Sequence, residues 1–275
     1  MEWSKIKNII ILILVGLNVF LLALVAVRES KSARYQEEAR AGVLSALERS
    51  GIQFLPEKVP ADMELTPLTV TRSREREQSM AQALLGPVER EDTGGSVRVV
   101  YTGTGGSASF SSDGRFSFEL NDQALAPEGD TPARAGAACL EQMGLQAVLV
   151  ETRSEGEDTL LIYRQNWEEV PLFSCQVILT YRDGTLRRIE GEYLEGAAVP
   201  AQGKSLDTLT VLVRFLAGMN ESGYVCSRID AMTAGYLSSV SAARPVVQLT
   251  PVWYITTDTG SYYLDALTGA LTQAG

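Results

Sequence analysis

Histidine is absent from all 275 residues, which removes the usual general base of nucleophilic triads and the commonest transition-metal ligand. Cysteine is scarce as well. Cys139, Cys175 and Cys226 are an odd number, too few for a disulfide framework, and each lies in a largely apolar stretch. Two readings stand for them: small buried hydrophobes, or one disulfide with a spare thiol. Basic residues are also short, with 24 Lys and Arg against 34 Asp and Glu and a net charge of −10. The first 34 residues carry +3, so residues 35–275 hold −13, and such an acidic region is a poor ligand for nucleic acid or anionic lipid. The composition calls for no cofactor and no metal.

What the sequence does have is one long apolar run. Ile9 to Val27 is 19 consecutive uncharged, mostly aliphatic residues, close to the roughly 20 that cross a hydrocarbon core about 30 Å thick. A cleaved signal peptide is the competing reading, but its apolar core is only about 7 to 15 residues long and ends in a small-x-small site. Leu24 stands where a small residue is wanted. The run therefore reads as an uncleaved anchor, with residues 1–8 as a cytoplasmic tail, 9–27 as a single-pass transmembrane helix in the cell membrane, and about 240 residues exported. Lys5 and Lys7 on one side balance Arg28, Lys31 and Arg34 on the other, so the charge rule is neutral and the shortness of the tail decides its cytoplasmic placement. Trp3 is the expected interfacial anchor in the bilayer. Gly16 and Ala23, seven residues apart, share a helix face, and Asn18 lies about 160° around from Gly16. Small residues allow helices to approach and an amide can bond across them, which makes these three the candidate partner-contacting residues.

Beyond the anchor, residues 35–50 keep helical spacing, with Ala39, Val43, Ala46 and Leu47 on one stripe and Gly51 as the stop. Residues 65–72 read as a strand, 75–85 as a helix, 97–102 as a strand and 107–120 as a hairpin turning at Asp113-Gly114. Thr131 caps a helix with Pro132 at its first position, and strands follow at 147–152, 159–165, 172–181 and 186–193. Ser205 is the expected cap of a last helix whose Leu209, Leu212, Val213 and Leu216 recur at helical spacing; strands at 224–232, 246–256 and 262–265 complete the chain. The turn glycines Gly114, Gly184 and Gly260 suggest one unit written three times. The expected fold class is α+β, with an N-terminal transmembrane helix and an exported region of repeated helix-plus-antiparallel-sheet modules at 28–125, 126–200 and 201–275. The joints fall at 127–130 and 196–203.

Few residues suggest chemistry. Gly203-Lys204-Ser205 opens a helix like the end of a phosphate loop, but Ala198 occupies the place of that loop's first glycine. The pairs Glu157-Asp158 and Glu168-Glu169 would point to opposite faces of a strand and read as solvated turns, although a glycosidase pair is set by spatial distance rather than sequence spacing. Lys204 as a base for a nearby serine lacks any strained nucleophile turn. No catalytic residue is assigned.

Several segments carry a family resemblance. Met1-Glu2-Trp3-Ser4-Lys5-Ile6-Lys7 running into Asn18-Val19-Phe20-Leu21-Leu22 resembles the start of YycI-type regulatory proteins. The likeness continues through Leu84-Leu85-Gly86, Asp113-Gly114, Tyr163-Arg164-Gln165 before Val170-Pro171-Leu172-Phe173, and Glu192-Tyr193-Leu194. The final segment from Pro251-Val252-Trp253-Tyr254 to Asp265-Ala266-Leu267-Thr268-Gly269 resembles the end of PepSY-like modules. This resemblance implies a non-enzymatic regulator of a cell-wall-sensing histidine kinase of the WalK/YycG type. It would act with a YycH-like membrane protein through transmembrane-helix contacts, and homo- and hetero-dimers are both open. The alternative is an exported PepSY-like peptidase inhibitor or chaperone that binds through its sheet. A membrane-anchored hydrolase is the third reading.

Overall fold

The computed structural model describes residues 35–93, 98–127, 129–240 and 246–274. Trp3, Gly16, Asn18, Ala23 and the whole expected transmembrane helix lie outside the described residues. No helix among the described residues is long and apolar enough to cross a membrane.

Helix α1 (35–49) opens the described chain, and a short 3-10 turn at Pro56–Lys58 leads to β1 (Leu68–Arg72). Helix α2 (Glu77–Leu85) precedes four strands, β2 (Val88–Thr93), β3 (Arg98–Gly103), β4 (Gly106–Ser111) and β5 (Arg115–Leu120). Helix α3 (Pro132–Gln142) precedes β6 (Ala147–Glu155), β7 (Asp158–Trp167), β8 (Val170–Arg182), β9 (Thr185–Glu192) and β10 (Gly196–Pro200). Helix α4 (Thr208–Ser222) precedes β11 (Ile229–Val240), β12 (Val246–Thr257), β13 (Ser261–Asp265) and β14 (Leu271–Gln273). The strands join in one sheet whose main path is β10-β1-β12-β11-β8-β9-β5-β4-β3-β2, with β6 and β7 joined through β8 and β13 and β14 through β12. The architecture is α+β with an antiparallel-dominated sheet; Tyr236 of β11 and Leu172 of β8 make a parallel contact.

Two hydrophobic clusters cover this sheet, and they define two lobes. One gathers Leu47 of α1, Val70 of β1, Leu172 and Cys175 of β8, the inward face of α4, and Trp253, Ile255, Tyr262 and Leu264 near the end of the chain. The other gathers α2 and α3 over β3, β4, β5, β7, β9 and the second half of β8. Cys175 belongs to the first cluster and Val177, Leu179 and Tyr181 to the second, yet all four sit on one face of β8 because side chains alternate along a strand. The three expected segments thus share two cores.

Four of the differences between the sequence reading and the structure have a local cause. The α4 cap is Asp207 rather than Ser205: Asp207 Oδ1 accepts from Thr210 N at 2.9 Å, while Ser205 Oγ accepts from Leu65 N at 3.2 Å. The buried stripe of α4 is Val211, Leu212, Phe215 and Met219, and Val213 is exposed. This helix is apolar on most of its surface, so more than one stripe satisfies helical spacing and docking selects among them. Strand β11 begins at Ile229 because residues before it are held in a loop by the Asp258 carboxylate, which accepts from Ser227 N and Arg228 N at 3.0 and 3.1 Å. The expected joint at 196–203 contains β10, paired residue for residue with β1 from Leu68↔Pro200 to Arg72↔Gly196.

Pro251 lies inside β12 although proline cannot donate to a ladder. It falls where the outer neighbour of β12 changes, between Leu249, which faces β1, and Val252, which faces β13. The β7–β8 turn is less comfortable. Glu168 and Glu169 both have positive φ, 47° and 71°, the pattern of a type I′ turn that favours Asn-Gly. Replacing Glu168→Asn together with Glu169→Gly is expected to raise the unfolding free energy by about 1 kcal/mol, read as a higher urea midpoint at unchanged m-value.

Candidate functional site

Three arginines at alternate positions, Arg72, Arg74 and Arg76, connect the end of β1 to α2, and each turns to a different anchor. Arg72 is the most enclosed, with 6% of its side chain exposed. Its Nη1 donates to the Tyr193 carbonyl at 3.3 Å, and its guanidinium occupies the space that a Cβ on Gly114 would need. Its Nη2 lies 3.5 Å from Glu192 Oε1. That contact is an ion pair too long for a good hydrogen bond, and Nη2 is buried without a hydrogen-bond partner among the described residues. Arg74 grips the buried Glu77 with bonds of 2.6 and 3.0 Å. Arg76 bridges Glu195 at 3.2 Å and the Gly144 carbonyl at 2.9 Å.

The same junction receives Gln165, whose Nε2 donates to the Leu194 carbonyl at 2.7 Å and whose Oε1 accepts from Leu194 N at 2.9 Å. Tyr193 N donates to the Gly114 carbonyl at 3.1 Å. Asp113-Gly114, Tyr163-Arg164-Gln165 and Glu192-Tyr193-Leu194, far apart in the chain, therefore meet at the boundary between the two lobes. Beside them lies a cleft of about 270 Å³ lined by Arg76, Gln146, Asn166, Trp167, Glu168 and Glu195. Sequence reading passes over the three arginines. The available signal was their spacing, since an acidic chain rarely places three cations within five residues.

Neither the cysteines nor the acidic pairs form a reactive centre. Burial pushes the Cys139 and Cys175 thiols up to about 12, far from the thiolate form that attacks, and all three cysteines are free and buried. Asp158 is held by Arg182 through bonds of 2.7 and 2.9 Å, and those bonds lower its carboxyl. Glu168 and Glu169 form the exposed turn already described. At Gly203-Lys204-Ser205 the α4 N-terminus is occupied by two carboxylates, Asp207 on Thr210 N and Asp62 on Thr208 N at 2.9 Å each. An anion approaching that end would meet negative charge. No group of three or more metal-ligating side chains occurs among the described residues.

The second face of the sheet is open. A row of facing residues runs Glu91, Val100, Ser109, Ser117, Glu190, Ile178, Ile162 and Glu151 across eight strands, and none of them is buried. In the other lobe Phe173, Tyr254 and Tyr263 form a triangle with ring centroids 5.2 to 5.6 Å apart. Arg164 sits 5.1 Å over the Phe173 ring. A Cβ on Gly235 would overlap Phe173, so the ring is pressed against bare backbone. Phe173 itself is buried, and Tyr254, Tyr263 and Arg164 around it are half-buried.

No family model matches the chain, and a comparison with curated proteins gives no match. Among solved structures, an uncharacterized protein from Eubacterium rectale ATCC 33656 is similar at a TM-score of 0.47 and 9% identity, over 77% of this chain and 87% of its own. The Bacillus megaterium YpeB C-terminal domain is similar at a TM-score of 0.39 and 9% identity, over 74% of this chain and 99% of its own. At these scores neither likeness carries a functional argument.

Burial raises the Glu192 carboxyl above its ordinary range, outweighing the pull of Arg72. With a raised native pKa, the native state keeps a proton that the unfolded chain has lost. The stabilising contribution is present below the ordinary carboxylate value and is lost as pH rises through the native value. At Asp113 burial acts upward too, but bonds from Arg115 outweigh it and lower the carboxyl, so its contribution is present above the ordinary value and lost on acidification. Glu192→Gln is expected to shrink the loss of unfolding free energy between about pH 4 and pH 7 relative to wild type in denaturant titrations. Arg72→Met, which strands Glu192 without its cation, is expected to cost about 2 kcal/mol and steepen that loss.

Proposed function

We propose that this chain is a non-enzymatic, membrane-tethered regulator whose exported domain works by binding. In this reading Ile9 to Val27 forms the anchor, and the domain tunes a sensor histidine kinase of the WalK/YycG type beside a YycH-like membrane protein. The contacts run through the helix face shared by Gly16 and Ala23, with Asn18 bonding a second helix. Control of this kind requires the regulator to bind one kinase conformation better than another.

The observation that carries this reading is the seating of α1. The chain is already helical at the first described residue, 35, eight positions after Val27, and the far end of the helix is built into the first core by Val43, Leu44 and Leu47. Arg40 donates to the carbonyls of Pro56 and Val59, fixing the helix to the turn that follows. In this reading the end of α1 that is built into the lobe is the part that receives a displacement of the anchor. The YycI-type opening and the convergence of the resembling segments at the interlobe junction support the same reading.

A second reading is favoured by the open face. Tyr254 and Tyr263, half-buried rings that rest on the buried Phe173, are the kind of aromatic residues that protein partners use, and an exported PepSY-like inhibitor or chaperone would bind a peptidase there. Crosslinking pull-downs of the full-length chain, and of a version with residues 9–27 replaced by an unrelated apolar helix, separate the two. Kinase recovery with the native helix alone is the expected outcome. Peptidase recovery with both versions would favour the second reading, and absence of a kinase from both would sink the first.

A further inference from the structure

Among the sheet's terminal strands, β6 is built differently from the rest. Strand β2 carries four charges in a row, Glu89 to Asp92, β14 has three residues, and β10 has five and ends at Pro200. Charge, shortness and proline are the usual protections of an open edge. Strand β6 has nine residues with neither proline nor glycine. It pairs with β7 on one side, and among the described residues nothing pairs its other side. After the half-buried Ala147 every residue is exposed, including three consecutive aliphatics, Val148 at 55%, Leu149 at 37% and Val150 at 43%. An unpaired row of backbone donors and acceptors with apolar side chains is a template for another strand.

The charges on β6 say which strand fits. Glu151, Arg153 and Glu155 face the same side, opposite Ile162, Leu160 and Asp158 of β7. Arg153 stands between the two glutamates, 2.8 Å from Glu151 and 3.5 Å from Glu155. A two-fold axis perpendicular to the sheet keeps its faces together, so self-pairing must be centred on a residue. Centring on Glu151 or Arg153 puts like charges directly opposite each other, which is unfavourable. Centring on Thr152 puts Glu151 opposite the Arg153 of the second copy, and the reverse, with Glu151 to Arg153 of each strand in regular register and the bulge at Val150 falling beyond them. Centring on Ser154 also opposes unlike charges but sits at the end of the strand, with nothing beyond Glu155 left to pair. Centring on Leu149 or Val150 would bring the aliphatics together, but it puts the bulge between Leu149 and Glu151 at the middle of the ladder. The Thr152 register keeps its middle, Glu151 to Arg153, regular and meets the bulge only beyond it.

We propose that β6 is a homodimerisation edge, pairing antiparallel with β6 of a second copy about a two-fold axis at Thr152. This goes beyond the kinase reading and does not depend on it.

Cysteine substitution in the full-length chain, in its own membrane, tests the register. Opposed residues of an antiparallel pair have Cα atoms about 4.5 to 5.5 Å apart, within the range a disulfide spans. The three native cysteines are buried and leave the background low. Thr152→Cys is expected to give a disulfide-linked species of twice the mass on mild oxidation. Val148→Cys is not, because its symmetry mate would lie about 26 Å away. In the Thr152→Cys background, Glu151→Arg or Arg153→Glu alone should cut crosslinking several-fold, and the two together should restore it. The proposal is overturned if Thr152→Cys fails to crosslink, if Val148→Cys or Leu149→Cys crosslinks as well or better, if the double charge swap does not restore, or if the adduct contains a different protein.

Discussion

Strand β8 passes through both hydrophobic clusters, and the relative placement of the two lobes follows from it. Its first half supplies Leu172 and Cys175 to one core and its second half Val177, Leu179 and Tyr181 to the other. Its second half is paired with β7 and β9 and its first half with β7 at Val170 and Pro171 and with β11 at Leu172, the β7 register shifting between the two. The joint to β11 is tight. Ser174 and Ser238 are linked by a side-chain bond of 2.7 Å, Ser238 N donates to Ser174 Oγ at 2.9 Å, and Phe173 lies against the bare backbone of Gly235.

The arginines of the β1–α2 connection add a second tie. Arg72 belongs to a strand of the first lobe but spends its charge on Glu192 and its donors on Tyr193, at the end of a strand in the second. Enclosed ion pairs contribute little net stability, yet losing one partner is costly because the other charge is left desolvated. Such a pair therefore fixes an arrangement more than it strengthens it. The seating of α1 by Val43, Leu44 and Leu47 in the first core is a further tie, within that lobe.

Much of this fold was legible beforehand, for identifiable reasons. The hairpin at Asp113-Gly114 and the Thr131-Pro132 helix start are local events, decided by turn chemistry and capping within a few residues, and both stand in the structure. The alternation of Ile189 with Arg188 and Glu190 placed β9 on a half-covered sheet, as found. Strand β2 was not legible. The sequence Val-Glu-Arg-Glu-Asp-Thr has no strand pattern and is a strand only because β3 lies beside it. The same holds for β10, five small residues ordered by β1.

The sequence by itself determined the features whose signal is local: the apolar run at Ile9 to Val27, the helix start at Thr131-Pro132 and the turn at Asp113-Gly114. Tertiary structure alone decided which stripe of α4 is buried, because that helix is apolar on several sides and only its neighbours choose Phe215 over Val213. It also decided that Arg72, Gln165 and Glu192, 93 and 27 residues apart along the chain, meet at one junction. Periodicity reports which way a side chain points relative to its own element. Where two elements cross is fixed by packing and pairing between distant segments, and a linear pattern carries no record of that.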